Sequence, residues 1–273
     1  MISFNSFKNF LFVNLSLLGI SVFQYYTSDT NIMFFNLAIL RNYILIDGID
    51  YSTKDNNMID SDKRLEPEQR FPYEFDLFVV SSTLIETITH AFIKNIFFNH
   101  VENLEIMNDL ISFIFVSFSF EIIFDFFHFV NHFIFHKNAY LYKNIHKIHH
   151  KFKYPKSITT FYQHPIDLLF TSSIPTILSL YFMPIKPTYF QYILILTYKA
   201  FIEISGHSGK IIKSTSFPQF IWFPKILGIE LRVEDHDLHH TFNNCNYSKR
   251  FSLWDKIFGT YLQSNFQKWD TYN

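Results

Sequence analysis

Eight histidines fall into three tight clusters: His132 and His136, then His146, His149 and His150, then His236, His239 and His240. As motifs they read HxxxH, HxxHH and HxxHH. A neutral imidazole offers a nitrogen lone pair near neutral pH, which makes histidine the commonest metal ligand. Residues at i, i+3 and i+4 of a helix share a face, so each cluster is expected to aim all its rings into one place. Three such fans offer more nitrogens than one ion can use, and two metals are the natural reading. Gathering these rings without metal would be costly. Each buried, unpaired polar group costs about 1–3 kcal/mol, and protonated neighbours would repel. A lone histidine is more often an ordinary core or surface residue, and His90 and His100 are read that way.

Nitrogen ligation narrows the metal. Imidazole suits Fe, Zn, Cu and Ni, whereas Mg and Ca prefer oxygen. Structural zinc commonly takes cysteines, but Cys245 is the single cysteine, reads as a spectator thiol in a polar stretch, and allows no intrachain disulfide. No Glu stands three residues before any His, as soluble di-iron bundles require, and no H-E-x-x-H is present. What is left is a histidine-rich two-metal site, with iron the sensible candidate for oxygen chemistry. His128 lies one turn before His132 on the same face, as a ligand or its neighbour. Asp125 and Asp237 are expected hydrogen-bond partners for ligand imidazoles, which would fix the tautomer. With six glycines and no G-x-G-x-x-G there is no nucleotide-binding unit, so electrons must arrive from elsewhere.

Such a site needs elements to carry it, and the chain offers apolar runs. Asn9–Tyr26, Ile32–Ile46, Phe75–Phe98, Asp109–Phe127, Ile166–Met183 and Thr188–Ser205 are candidate spans, the last two paired across Pro184–Pro187. A bilayer core needs about 20 helical residues, so several are marginal. The expected fold is all-α: an integral membrane protein of about four to six spans, built as helical hairpins under a cytosol-facing histidine-rich cap. Aromatics make up 20% of the chain, more than a soluble core needs. A net charge of −1 supplies no field for nucleic acid. Lysines crowd residues 137–156, and Arg232, Lys249, Arg250 and Lys256 follow the last apolar run. Excess Lys and Arg marks the cytoplasmic side, and a hairpin crossing twice between the two basic segments puts both on that side. The acidic stretch Asp47–Arg70 reads as an exposed loop. Two units are expected: residues 1–74, with the N-terminal apolar segments and this loop, and 75–273, a membrane catalytic domain.

The order and spacing of the motifs carry a resemblance. From Glu121 to Tyr261 the chain reads Asp125-Phe-Phe-His128, His132 and His136, then His146 to His150, His164-Pro165, Gly206-His207-Ser208-Gly209, His236 to His240, Asn246-Tyr247-Ser248 and Trp254-Asp255-Lys256. In this it resembles the fatty acid hydroxylase/sterol desaturase superfamily of membrane di-iron oxygenases, and particularly its C4-methylsterol oxidase branch. Two departures stand out: Phe133 where the family usually has Arg, and Asp167 where methylsterol oxidases tend to carry Glu. The resemblance implies that His207 is a further ligand, while His164 orients the site or caps a helix. It also implies a di-iron centre using O2 to oxidise C–H bonds of a bilayer lipid, 4-methyl groups of sterols first and other sterols, sphingolipids or acyl chains after. Electrons would come from NAD(P)H through a reductase and cytochrome b5, in the endoplasmic reticulum. Two other classes stay open at this point. A histidine-rich metal transporter would place its ligands mid-span, whereas boxes two and three lie in Lys-rich segments. A b-type cytochrome would leave most of the rings unused.

Overall fold

Every regular element among the described residues of the computed structural model (4–59, 75–98, 104–212 and 216–264) is helical. One isolated antiparallel bridge, Met58 to Lys210, is the sole β feature among them. The apolar runs become α1 (Phe4–Thr27), α2 (Asn31–Ser52), α3 (Phe75–Phe97) and α4 (Ile106–Lys137). Five stretches are long and apolar enough to cross a membrane: Phe7–Thr27, Asn31–Ser52, Asp76–Phe97, Ile106–Lys137 and Pro165–Phe182. Phe12 and Leu15 on α1 and Leu77 and Ile88 on α3 lie exposed on the outer surface, which suits lipid contact better than water. The all-α membrane fold expected from the apolar runs is therefore present.

The length of α4 positions the first histidine box. Its 32 residues rise about 48 Å at 1.5 Å each, whereas a hydrocarbon core is about 30 Å thick. One end must project, and box one occupies the C-terminal end. Asn138 stops the helix there and starts α5 (Ala139–Asn144), its side chain accepting the Tyr140 and Leu141 N–H groups.

The next apolar run is broken where it passes α4. It comprises α6 (Pro165–Leu168), a π turn (Leu169–Ser173) and α7 (Ile174–Phe182). Pro175 has no N–H, so carbonyls in the preceding turn lose their helical donor. Two of them face α4 instead: Phe170 O accepts Asn131 Nδ2 and Thr171 O accepts His128 Nδ1, each at 2.7 Å. The chain returns as α8 (Tyr189–Gly206), opened by a Thr188–Gln191 capping box. Residues Phe190 to Lys199 are all buried, packed against α1, α2 and α4. Gln191, Lys199 and Glu203 make α8 more polar than the five stretches above, and its neighbours rather than lipid enclose it.

The N-terminal helices are tied in by polar contacts. Arg41 on α2 donates to both Glu86 oxygens on α3 at 2.7 and 2.8 Å, and Asn42 donates to Thr83. A charge among membrane helices is tolerated when paired in this way. The expected acidic loop is partly wrong. Asp47 and Asp50 belong to the last turns of α2, and Asp50 accepts a bond from Ser157 at 2.6 Å. Asp55 does lie exposed in a turn, as expected, while residues 60–70, with Asp60, Asp62, Glu66 and Glu68, and the 74/75 boundary lie outside the described residues.

Candidate metal centre

Box one ends α4, box two occupies a 3-10 turn (His146–Lys151), and box three rides on α10 (Val233–Phe242). His207 follows α8 directly. The rings gather in two groups rather than three. His132, His136, His146, His150 and His239 form one, each offering a nitrogen within 4.8 Å of all the others; His149, His207, His236 and His240 form the second on the same measure. The expectation that each box serves one place therefore fails for boxes two and three. Adjacent rings splay. Successive α-helical residues turn about 100°, so His240 lies about 40° from His236 while His239 falls about 60° to the other side. His149 and His150, on a 3-10 turn that rotates about 120° per residue, also divide between the groups, and box one alone delivers both rings to one group.

The tautomers follow from the ring nitrogens that face outward. His132 Nδ1 lies 2.7 Å from Tyr247 O, and His239 Nδ1 lies 2.7 Å from Cys245 O. His146 Nδ1 meets the Asp167 carboxylate at 2.8 Å, and His207 Nδ1 meets Glu203 O at 2.8 Å. Carbonyl and carboxylate oxygens only accept, so each Nδ1 carries the hydrogen and each Nε2 presents a bare lone pair inward. Yet His132 Nε2 and His146 Nε2 stand 3.0 Å apart. His146 Nε2 is also 3.0 Å from the Nε2 atoms of His136 and His150, and His239 Nε2 is 3.2 Å from that of His150. In the second group the His207 Nε2 atom is 3.4 and 3.3 Å from those of His149 and His236.

Lone pairs pointed at one another repel unless a cation lies between them. Two nitrogens bonded to one ion at about 2.1 Å and a right angle sit about 3.0 Å apart, and this is the spacing in the first group. His240 adds a second mark: it is 2% exposed, and neither of its nitrogens has a partner. The donor set and its spacing thus fit two imidazole-bound ions.

Burial keeps the rings neutral. It drives His239 down to about 3 and His207 down to about 4, with neighbouring imidazoles and Lys249 adding to the shifts. His149, His150, His236 and His240 are held well below the usual range, first by burial and then by adjacent histidines. A ring that stays unprotonated keeps its lone pair for a metal.

The carbonyls that orient His132 and His239 come from one strap, residues 245–251. Asn243 and Asn246, at φ 60° and 53°, turn the chain back over α10; Asn tolerates this left-handed region better than most residues. The Asp255 carboxylate accepts the Tyr247 and Ser248 N–H groups, both at 2.8 Å. Asp125 accepts the N–H groups of Lys249, Arg250 and Phe251 at 2.7, 2.9 and 3.0 Å. Asp125 was expected on an imidazole and instead clamps the strap to α4. Arg250 pairs with Glu121 at 2.7 Å and with Glu203 at 3.2 Å, fastening the same segment to α4 and α8.

The other expected residues are placed as follows. His128 is in neither group; its ring centroid is 5.0 Å from that of His132, and its Nδ1 is held by Thr171 O. His164 caps α6 by accepting the Ile166 N–H. Asp237 is buried on α10 beside His236. Phe133 packs edge-on against Tyr247. Asp167, noticed in the sequence only as a departure, is the carboxylate on His146. The Cys245 thiol is buried and pushed up to about 11 by burial, while its carbonyl holds His239. An open cleft of about 600 Å³ reaches His150 of the first group and His240 of the second, and Lys143, Lys147, Lys151 and Lys153 line it beside Tyr142.

A fatty acid hydroxylase family model matches residues 117–260, the stretch that holds both histidine groups. The chain belongs to the fatty acid hydroxylase family. Its relatives include "Fatty acid hydroxylase vlmA" of Lecanicillium sp, 32% identical over 51% of this chain and 40% of that protein. "Sphinganine C4-monooxygenase 2" of Arabidopsis thaliana is 29% identical over 49% of each. The "C-4 methylsterol oxidase erg25" of Schizosaccharomyces pombe is 28% identical over 50% of this chain and 43% of that protein. The chain spans about half the length, or less, of these curated relatives. The fatty acid hydroxylase family thus brings it beside acyl, sphingoid and sterol enzymes at similar distances. No solved structure gives a significant match.

Proposed function

We propose that the chain is a membrane di-iron oxygenase that hydroxylates or otherwise oxidises a C–H bond of a lipid. The observation that carries this reading is the set of Nε2 atoms facing one another at 3.0–3.4 Å in two adjoining groups, those of His132, His146, His239 and His207 left bare by their Nδ1 contacts. His132, His136, His146, His150 and His239 would hold one iron, and His149, His207, His236 and His240 the other. Bound iron would supply the activation of O2 that oxidation of an unactivated C–H bond requires. The protein's own part is positional. Asp167 and the carbonyls of Tyr247, Cys245 and Glu203 aim the rings, which keeps the nitrogen cage in shape. The packed aromatics around Tyr247 shield the rings on that side, and the lysine-lined cleft is the open approach. The catalytic unit would be residues 75–273, with α1 and α2 as an N-terminal membrane anchor.

Four lysines at the cleft over both groups support docking of an acidic electron donor. We assign that role to a cytochrome b5 supplied by an NAD(P)H reductase. The same lysines support a cytosolic orientation, and the endoplasmic reticulum is the proposed residence. Among lipids, 4-methylsterols come first, other sterols second and acyl or sphingoid chains third. Lipid profiling of cells lacking the protein tests this order. Accumulation of 4-methylsterols is the expected result; unchanged sterols with lost hydroxylated acyl chains would defeat it.

A further inference from the structure

A cavity of about 50 Å³ lies among the membrane helices, walled by α3, the Ser157–Phe161 turn, α6–α7 and α8. Its lining is polar for such a place: Ser82, Glu86 and Thr89 of α3 share it with Tyr192, Lys199 and Glu203 of α8. Most of that polarity is committed within the protein. Ser82 donates to Phe161 O, Thr89 to Ile85 O and Thr160 to Glu203 O. Glu86 accepts two bonds from Arg41, and Lys199 pairs with Glu203 at 3.1 Å. The Tyr192 hydroxyl is uncommitted. Tyr192 is 0% exposed, and its oxygen has no partner. The ring cannot readily swing away, because it is stacked on Phe98 at 5.1 Å and on His90 at 5.7 Å.

We propose that this cavity receives the hydroxyl end of a lipid alcohol, with Tyr192 donating to its oxygen and Glu86 accepting its hydrogen. The proposal rests on the lipid-oxidation reading and narrows the substrate class. A hydroxyl is donor and acceptor at once, which matches the unspent, fully buried Tyr192 hydroxyl beside a carboxylate with lone pairs to spare. Charge argues against the alternatives. The lining carboxylates Glu86 and Glu203 would repel an ionised fatty acid or phosphate, and Lys199, the one cation among the described lining residues, is already paired with Glu203. Volume argues the same way: about 50 Å³ holds three or four waters, or one hydroxyl with its first carbons. The hydrocarbon remainder must lie along the seam of α3 and α6, which carry exposed Ile88 and Ile166.

The cavity also reports to the metal centre. Glu203 O accepts Thr160 Oγ1 at 3.1 Å on the cavity side and His207 Nδ1 at 2.8 Å on the other. One carbonyl thus joins the hydroxyl pocket to the second histidine group. Anchoring the alcohol there would fix which carbon along the lipid comes within reach of the site.

The test is equilibrium binding of radiolabelled hexadecanol to the detergent-solubilised full chain, with hexadecyl methyl ether and palmitate as competitors. The alcohol is expected to bind about 5- to 10-fold tighter than the ether, which cannot donate, and tighter than palmitate. Tyr192→Phe is expected to weaken the alcohol and the ether alike by about 5- to 10-fold, because both oxygens accept from that hydroxyl, and to leave the preference between them to Glu86. If that variant does not fold, Leu196→Phe fills the cavity from α8 and should weaken alcohol and ether by one common factor. Equal binding of alcohol and ether to the unmodified chain would overturn the proposal. So would palmitate binding as tightly as the alcohol, hexadecanol binding unchanged by Tyr192→Phe, or hexadecanol binding untouched by Leu196→Phe; the cavity would then hold water. No turnover or iron is read here, so an inert preparation that still prefers the alcohol would sink the oxygenase reading alone.

Discussion

The two histidine groups are built differently. The first has five rings, three of them with Nδ1 held by Tyr247 O, Asp167 or Cys245 O, and its Nε2 contacts run from 3.0 to 3.2 Å. The second has four rings at 3.3–3.4 Å; His207 is braced by Glu203 O, whereas His149 Nδ1 and both His240 nitrogens have no partner, against His150 Nδ1 alone among the buried ring nitrogens of the first. The first group therefore keeps its shape through hydrogen bonds that do not depend on a metal. The second relies more on whatever it binds, and it adjoins the hydroxyl pocket, while the Lys-lined cleft reaches both groups. One ion should accordingly be held firmly and the other more loosely.

The hardest break is at His146, whose Nε2 meets three others at 3.0 Å. His146→Ala is expected to empty the first group and to lower turnover by at least about 100-fold, more than loss of a supporting residue would cost. Iron counting and lipid oxidation assays read both effects. Normal iron in that variant would remove the group from the site. Asp167→Ala comes next: it should weaken iron in the first group by about 10- to 100-fold and leave the second group's iron in place, read by titration with a chelator. Equal loss from both groups would erase the distinction between them.

Acid gives a smaller, graded effect. Unfolded imidazoles titrate near 6.5, whereas folded His207 and His239 wait until about 4 and about 3. Between those limits the unfolded chain binds more protons, so stability is whole above about pH 6.5 and is lost as pH falls. Each such ring contributes about 1.4 kcal/mol per pH unit in that window. The iron-free protein should melt lower at pH 5 than at pH 7. A higher melting temperature at pH 5 would contradict this. Smallest in its consequence for function is the thiol of Cys245. Raised from 9 to about 11 by burial, it should carry about 100-fold less thiolate at pH 8 than an ordinary cysteine and alkylate correspondingly slowly. Rapid alkylation of the folded chain would show the strap to be more open than its clamps suggest.

Much of the fold was legible because apolar runs of membrane length leave few choices for the backbone. The three boxes were legible because i, i+3 and i+4 spacing concentrates side chains. The partition of rings was not. It depends on how His149 and His150, or His239 and His240, straddle a boundary set by α4 and α8, which no local pattern encodes. The strap was equally hidden, since backbone carbonyls carry no residue signature. Asp125 shows the cost of reasoning from type alone: a carboxylate one turn from His128 looks like an imidazole partner, yet three backbone N–H groups claim it. Pro175 and the two left-handed asparagines were the available clues to those carbonyl positions. Asp47 and Asp50 look like loop residues by charge, yet the helix set up by the preceding apolar residues continues through them.

The most direct test is the iron content of the purified full chain, followed during slow chelation. Two irons per chain are expected, leaving in two phases, with His240→Ala abolishing the faster one. A chain that binds one iron or none, or that releases two in a single phase untouched by His240→Ala, would contradict a centre made of two unequal imidazole cages.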